Sequence, residues 1–151
     1  RLLLRYFQQD DYQAVLAYQS HPQFCTYYSW NSRTPSKVCD LIGQFIQWSK
    51  EQPRSKFQLA IILKDENKLI GNCGIRKNTP ESLEAEFGCE LDPFYWNQGY
   101  ATEAGHAIFN FGFRTLGLQK IFSICIAANR SAVHLAESLG MKRDESWQIN
   151  L

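Results

Sequence analysis

Between Pro35 and Lys50 the apolar residues Val38, Leu41, Ile42, Phe45, Ile46 and Trp48 recur three and four apart, which predicts an amphipathic helix. Thr34 supplies its cap, Pro35 its first-turn proline, and Pro53 marks its end. Upstream, Arg1 to Phe7 mixes Leu2, Leu3, Leu4, Tyr6 and Phe7 with arginines and predicts a strand. Asp10 and Asp11 then offer an N-cap to a short helix through Ala14, Val15, Leu16 and Tyr18, which His21-Pro22 breaks. A short aromatic stretch, Phe24 to Trp30, leads to the Thr34 cap.

Phe57 to Leu63 is rich in Ile and Leu, and Asp65-Glu66-Asn67 turns it into a second strand, Leu69 to Arg76. Thr79-Pro80-Glu81 turns the chain again into Leu83 to Leu91, closed by Asp92-Pro93, so three antiparallel strands follow one another. A helix from about Ala101 to Leu116 carries Ala104, Ala107, Ile108, Phe111 and Phe113 and ends at Gly117. Ile121 to Ile126 reads as a strand, Asn129 to Leu139 as a helix stopped by Gly140, and Lys142 to Leu151 as renewed extended structure. The order of elements predicts a mixed α/β (α+β) sheet, mainly antiparallel, with helices on both faces. With 151 residues and no repeat or linker, one domain is expected, lacking its extreme N-terminus and last C-terminal strand.

Composition narrows the chemistry. A net charge of +1 with scattered basic residues gives no reason to expect a nucleic-acid or membrane partner. Cys25, Cys39, Cys73, Cys89 and Cys125 show no CxxC spacing and no histidine pairing, so neither zinc nor any other metal is expected. They read as small buried hydrophobes in a reducing, cytoplasmic setting. No apolar run reaches the roughly 18 residues of a membrane span.

The segment Trp96-Asn97-Gln98-Gly99-Tyr100-Ala101-Thr102-Glu103-Ala104 joins a strand to a helix through a glycine. Such a turn can aim several backbone N–H groups at one anion, with the helix dipole adding attraction. Gly99 permits close approach, Ala101 keeps the helix start narrow, and Thr102 adds a hydroxyl. No Walker lysine and no GxGxxG accompany it. Taken alone, a glycine before a helix is more often punctuation.

Together with Leu69 to Ile75, Glu86-Phe87-Gly88-Cys89-Glu90-Leu91 and Asn129 to Gly140, this segment resembles the GNAT acetyltransferase superfamily, in particular its RimJ/RimL-like branch of N-terminal acetyltransferases. The resemblance covers nearly the whole chain. It implies transfer of acetyl from acetyl-CoA, as co-substrate, to a primary amine, foremost a protein or peptide N-terminus. The alternatives are a small-molecule amine (polyamine, aminoglycoside, amino acid) and a non-catalytic CoA-binding module. A homodimer is an expected form of assembly. By the resemblance, Asn97, Gln98, Gly99, Tyr100, Ala101 and Thr102 hold the pyrophosphate, Asn129 contacts CoA, and backbone N–H groups near Glu90 and Leu91 hold the pantetheine and acetyl oxygen. Tyr27, Tyr28 and Trp30 would line the acceptor groove, although such aromatics are more often core.

Acetyl transfer needs a neutral amine, charge stabilisation on the carbonyl oxygen and a proton for the thiolate. An α-amine with pKa near ~8 costs about 1.4 kcal/mol to deprotonate at pH 7, against about 4.6 for an alkyl amine near ~10.4. In the strand ending at Leu91, Glu84, Glu86, Gly88 and Glu90 share one face, and on pattern alone a solvated face is the better reading. The resemblance makes Glu86 the first candidate for general base and Glu90 the second, with a bulge able to change which face each meets. Where many relatives carry a tyrosine as general acid this chain has Ala136, leaving Ser131 or water as the donor.

Overall fold

Leu2–Arg5 forms strand β1, and a 3-10 turn over Gln9–Asp11 leads into helix α1 (Tyr12–Gln19). These come from a computed structural model that describes residues 1–30 and 32–144. Asp11 does not cap α1 with its side chain as expected. Its carboxylate instead takes a bidentate pair from Arg5 at 2.8 and 2.9 Å and the Gln8 N–H at 2.7 Å, locking the corner between β1 and α1. His21-Pro22 ends α1 but also starts a short helix α2 (Pro22–Cys25), with His21 Nδ1 accepting from the Gln23 N–H. Helix α3 (Pro35–Lys50) begins as predicted, Thr34 Oγ1 accepting from the Lys37 N–H at 3.2 Å.

Strands β2 (Lys56–Leu63), β3 (Lys68–Lys77) and β4 (Glu84–Leu91) form the expected antiparallel meander, and β1 pairs antiparallel with β2. Helix α4 (Tyr100–Asn110) runs into one π turn, Phe111–Thr115, and Gly117 at φ +66° stops it. Strand β5 (Lys120–Phe122) and helix α5 (Arg130–Ser138) complete a five-stranded sheet in the order β1-β2-β3-β4-β5, flanked by helices on both faces.

The sheet separates two cores. Val15, Tyr18, Val38, Ile42 and Phe45 of α1 and α3 pack with Ala60, Ile62 and Leu69 on one face. Ala104, Ile108, Leu118 and Leu139 pack with Phe57, Ile61, Ile70, Cys73, Ile75, Ala85, Phe87 and Leu91 on the other. Ile70 and Ile75 have opposite parity yet share a core, because a bulge leaves Ile70 without a partner between Ile61↔Gly71 and Ile62↔Leu69. The bulge lies in β3, while β3 and β4 stay in unbroken register from Gly71↔Leu91 to Lys77↔Ala85. One consequence is that Asn72 faces α1, where its amide reaches Tyr18.

Four further expectations are corrected. The strand expected from Ile121 to Ile126 stops at Phe122, after only three parallel pairs with β4, Glu84↔Lys120 to Glu86↔Phe122. There Ser123 Oγ donates to the Phe87 carbonyl at 3.0 Å in place of a ladder bond, and the next residues diverge from β4. In α4 and its π turn, Ala107 and Phe113 are exposed rather than buried. Cys25 and Cys73 are buried as expected, but Cys39 and Cys89 are half-buried and Cys125 is exposed. Lys142 to Asp144 lie in no strand, and the rest of the extended segment expected to Leu151 lies outside the described residues.

Gly71 and Gly74 sit where neighbouring backbone leaves no room for a side chain: a Cβ would lie 2.2 Å from the Glu90 carbonyl oxygen and 2.3 Å from that of Phe57. Gly71→Ala should therefore destabilise the fold by at least the ~1–3 kcal/mol typical of overpacking, read as a lowered urea midpoint. An unchanged midpoint would show that β3 and β4 can separate locally at no cost.

Candidate functional site

Beyond Glu86, β4 has no partner on its β5 side among the described residues. The Asp92 N–H donates to the Ile70 carbonyl, and the alternation of an antiparallel ladder then turns the backbone groups of Glu90 and Gly88 to β3 and those of Leu91, Cys89 and Phe87 to the open side. Side chains already take two of these carbonyls, Ser123 Oγ at Phe87 and Trp96 Nε1 at Leu91, 2.9 Å away. That leaves the N–H and C=O of Cys89 and the N–H of Leu91 facing the gap. The expected backbone contacts near Glu90 and Leu91 thus fall on Leu91 and Cys89, the Glu90 N–H being turned into the sheet. The gap is part of a cleft of about 1250 Å³ lined on one side by Gly88 to Leu91 and on the other by Ser123 to Ile126 and the start of α5.

At the Leu91 end of the gap the turn enters α4. Asn97 takes φ +61° and Gly99 φ +83°, a pair of left-handed residues that curls the backbone before the helix. The first helical bond runs from the Glu103 N–H to the Gly99 carbonyl, and among the described residues no acceptor meets the N–H groups of Asn97 to Thr102. These are the donors an anion would take. Asn97, Gly99, Tyr100, Ala101 and Thr102 all line the cleft, while Gln98 uses its side chain on the Phe94 carbonyl. Sequence reasoning missed Arg1. Its guanidinium lies 4.2 Å from the Tyr100 ring centre, pairs with Glu103 at 3.1 Å and donates to the Gln98 carbonyl at 3.0 Å, a cation braced against the turn by tertiary contact alone.

On the α1 side of β4 lies the carboxylate of Glu90. Its Oε1 accepts from Tyr18 Oη at 2.8 Å, from Gln19 Nε2 at 2.8 Å and from Asn72 Nδ2. Asn72 also donates to Tyr18 Oη and accepts from Gln58 Nε2 at 2.6 Å, so the network ties α1, β2, β3 and β4 together. Among the described residues no donor meets Glu90 Oε2. Burial pushes the Glu90 carboxyl up, partly offset by the hydrogen bonds from Tyr18, Gln19 and Asn72 and by the charge of Arg33. Glu86 shares the same face of β4, half-exposed, with Arg76 3.9 Å away. Burial, with the Glu90 charge behind it, raises the Cys89 thiol to about 12, so almost none is thiolate at neutral pH and it is no nucleophile.

Phe24 and Tyr28 stack at 4.8 Å and Tyr28 meets Trp30 at 4.6 Å, forming the aromatic wall of the cleft that was expected of Tyr28 and Trp30. Tyr27 Oη donates to the Ala128 carbonyl at 3.0 Å, joining this wall to the loop before α5. Asn129 caps α5, its Oδ1 accepting from the Ala132 N–H at 3.2 Å, and it lines the cleft beside Ser131 and Ala136. No helix among the described residues is long and apolar enough to cross a membrane.

A family model described as an acetyltransferase (GNAT) domain matches residues 1–142. The chain is 33% identical over 144 residues to the uncharacterised N-acetyltransferase YnaD of Bacillus subtilis (strain 168), covering 95% of this chain and 81% of that protein. Among solved structures it resembles an acetyltransferase (GNAT family) from Bacillus anthracis, with 28% identity, TM-score 0.82, and coverage of 95% of this chain and 81% of that one. It shares its fold with the spermidine N-acetyltransferase from Vibrio cholerae solved in complex with CoA and spermine, at 20% identity and TM-score 0.75 over 92% of this chain and 79% of that one.

Two outcomes follow from the geometry. Gly99→Val forces a β-branched side chain to φ +83° and should weaken CoA binding, measured by calorimetry, with the Glu90 network left intact. Glu90 should also leave a signature in stability. A carboxyl raised in the folded state binds more protons there than when unfolded, so its contribution falls as pH rises from the ordinary glutamate value, about 4.3, through the folded one. Glu90→Gln should therefore gain on the parent in urea midpoint as pH rises through that window; a pH-independent difference would rule the burial effect out.

Proposed function

This chain belongs to the GNAT acetyltransferase family and is an N-acetyltransferase; on that premise we propose that its acceptor is a primary amine at a protein or peptide N-terminus, attacking acetyl-CoA directly. The observation that carries the acetyl-CoA part of the reading is, among the described residues, the unclaimed N–H and C=O of Cys89 and N–H of Leu91 beside the open N–H groups of Asn97 to Thr102. A long ligand with an anionic pyrophosphate at one end and an amide-containing arm at the other matches that pattern. The turn would hold the pyrophosphate and the β4 edge the pantetheine amides. Asn129, its side chain used in capping α5, would contribute from the opposite wall. The cofactor supplies an activated thioester. An N–H of the open edge, that of Cys89 or Leu91, would stabilise the carbonyl oxygen as negative charge develops on it.

In this reading the amine comes from the aromatic side, past Tyr28 and Trp30. Its nitrogen bonds to the acetyl carbon, the carbon–sulfur bond breaks, and the proton leaves the amine for Glu90 Oε2. Glu90 is favoured because one oxygen is fixed by three donors while the other is unclaimed, and because burial raises its basicity. Glu86 is the second candidate, acting through water. With Ala136 where a tyrosine is common, the thiolate takes its proton from water or from Ser131, exposed in the first turn of α5. The thiol of Cys89, pushed to about 12, supports direct attack over an acyl-enzyme.

The RimJ/RimL-like appearance of Trp96 and Asn97 supports the N-terminal acceptor. The fold shared with the spermidine acetyltransferase supports the second reading, a small-molecule amine. A thiol-release assay with acetyl-CoA over N-terminal peptides, polyamines, aminoglycosides and amino acids separates them. Glu90→Gln should lower kcat/KM by about 10²-fold or more while leaving CoA affinity unchanged, and Glu86→Gln should cost far less. The reverse order would assign the base to Glu86, and heat protection by CoA without turnover of any amine would leave a binding module.

A further inference from the structure

Among the described residues three buried side-chain atoms find no hydrogen-bond partner: Gln19 Oε1, Arg33 Nε and Glu103 Oε2. Two of the three, one acceptor and one donor, belong to residues lining the same cleft. Gln19 is 2% exposed, and its other amide atom is fixed on Glu90 Oε1 at 2.8 Å, so its Oε1 is held beside the carboxylate and cannot swing to water. Arg33 is positioned from the same helix end. Its guanidinium lies 4.2 Å from the Trp30 ring centre, Trp30 Nε1 donates to the Gln19 carbonyl at 3.1 Å, and the Arg33 N–H donates to Ser20 Oγ at 3.4 Å. Folded proteins rarely leave buried donors and acceptors empty unless something outside the chain fills them.

Resting on the acetyl-transfer reading above, we propose that Arg33 is a specificity-determining residue that binds an oxygen next to the acceptor amine, while Glu90 Oε2 and Gln19 Oε1 accept the N–H groups of the amine itself. The ligand class is an α-aminoacyl group: a primary amine one carbon away from a carbonyl or carboxylate. An amine presents two or three donors and no oxygen, which answers Glu90 and Gln19 but leaves Arg33 empty. A carbonyl or carboxylate beside it completes the set, and the guanidinium edge is suited to such an oxygen. A polyamine does the opposite. Beyond its first amine it carries further cations toward a fixed guanidinium, and it offers Arg33 no acceptor. The stacked Phe24, Tyr28 and Trp30 then serve as the apolar wall for whatever side chain the α-carbon bears.

The test compares acceptors with and without that oxygen, at saturating acetyl-CoA: an alanyl dipeptide, alaninamide and alanine against isopropylamine and spermidine. Counted per free-base amine, so that the difference in amine pKa is factored out, the dipeptide should exceed isopropylamine and spermidine in kcat/KM by about 10²-fold, and the order among dipeptide, alaninamide and alanine shows whether the oxygen is an amide carbonyl or a carboxylate. Arg33→Met should collapse the ratio toward one by raising KM for the dipeptide, since any change that reaches Glu90 through the lost charge falls on both acceptors alike. CoA-dependent heat protection checks that the variant is folded. If it is lost, the same ratio is read in Arg33→Lys, which keeps the charge but not the planar fork. A ratio unchanged in the folded variant, or spermidine or isopropylamine as the preferred acceptor, overturns the role of Arg33 while leaving acetyl transfer standing. No turnover of any acceptor by the parent enzyme overturns both.

Discussion

Everything the cleft can do depends on one interruption: β4 loses its parallel partner after Glu86. Had the ladder continued, the N–H and C=O groups of Cys89 and Leu91 would bond to a neighbouring strand and the sheet would be closed. Instead the hydroxyl of Ser123 and the indole of Trp96 each take one carbonyl, at either end of the opening, and leave the groups between them unclaimed. Both substitutes use side chains, so the opening has fixed margins. It also ends where the Asn97 and Gly99 turn delivers the free N–H groups of α4. An edge that would ordinarily invite aggregation is thereby converted into a binding surface enclosed by α5 and the loop before it.

The Glu90 network is costly in isolation, since a carboxylate enclosed by a phenol and two amides gives up its hydration. Its members come from α1, β2, β3 and β4, and each is oriented by the element beneath it. The bulge at Ile70 is part of that orientation, because it brings Ile70 and Ile75 to the same core and so leaves Asn72 facing α1. A half-buried acid fixed by three donors on one oxygen is poised on the other. Such sites run against the general preference for neutral, apolar interiors and are a common mark of chemistry.

Most of the architecture was legible in the chain. The three-and-four spacing in α3, the turn residues of the meander and the glycine stops after α4 and α5 are local signals, and each is realised. What was not legible is tertiary. Nothing in Ile121 to Ile126 announces that pairing stops at Phe122, since Ser123 is its one polar residue and only the folded chain shows that hydroxyl on the Phe87 carbonyl. The alternation of Glu84, Glu86 and Glu90 gave their common face but not their different surroundings, which come from α1, far away in the chain. Arg1, Gln19 and Arg33 carry no motif at all. The turn from Trp96 to Ala104, by contrast, is a continuous segment whose backbone conformation is written in its own residues.

The sheet sets the two halves of the cleft on separate foundations: the proposed cofactor side rests on the core of α4 and α5, the proposed acceptor side on that of α1 and α3. Substitutions in one core reach the other through the strands between them and through the Tyr27–Ala128 bond across the cleft. In evolutionary terms such a division would let the acceptor half drift, remodelling its aromatic wall and its polar contacts under selection for new amines, without disturbing the half proposed to read the cofactor. The same division gives an engineer a boundary: libraries confined to α1, α2 and the segment leading to α3 would search acceptor space without spending the cofactor site.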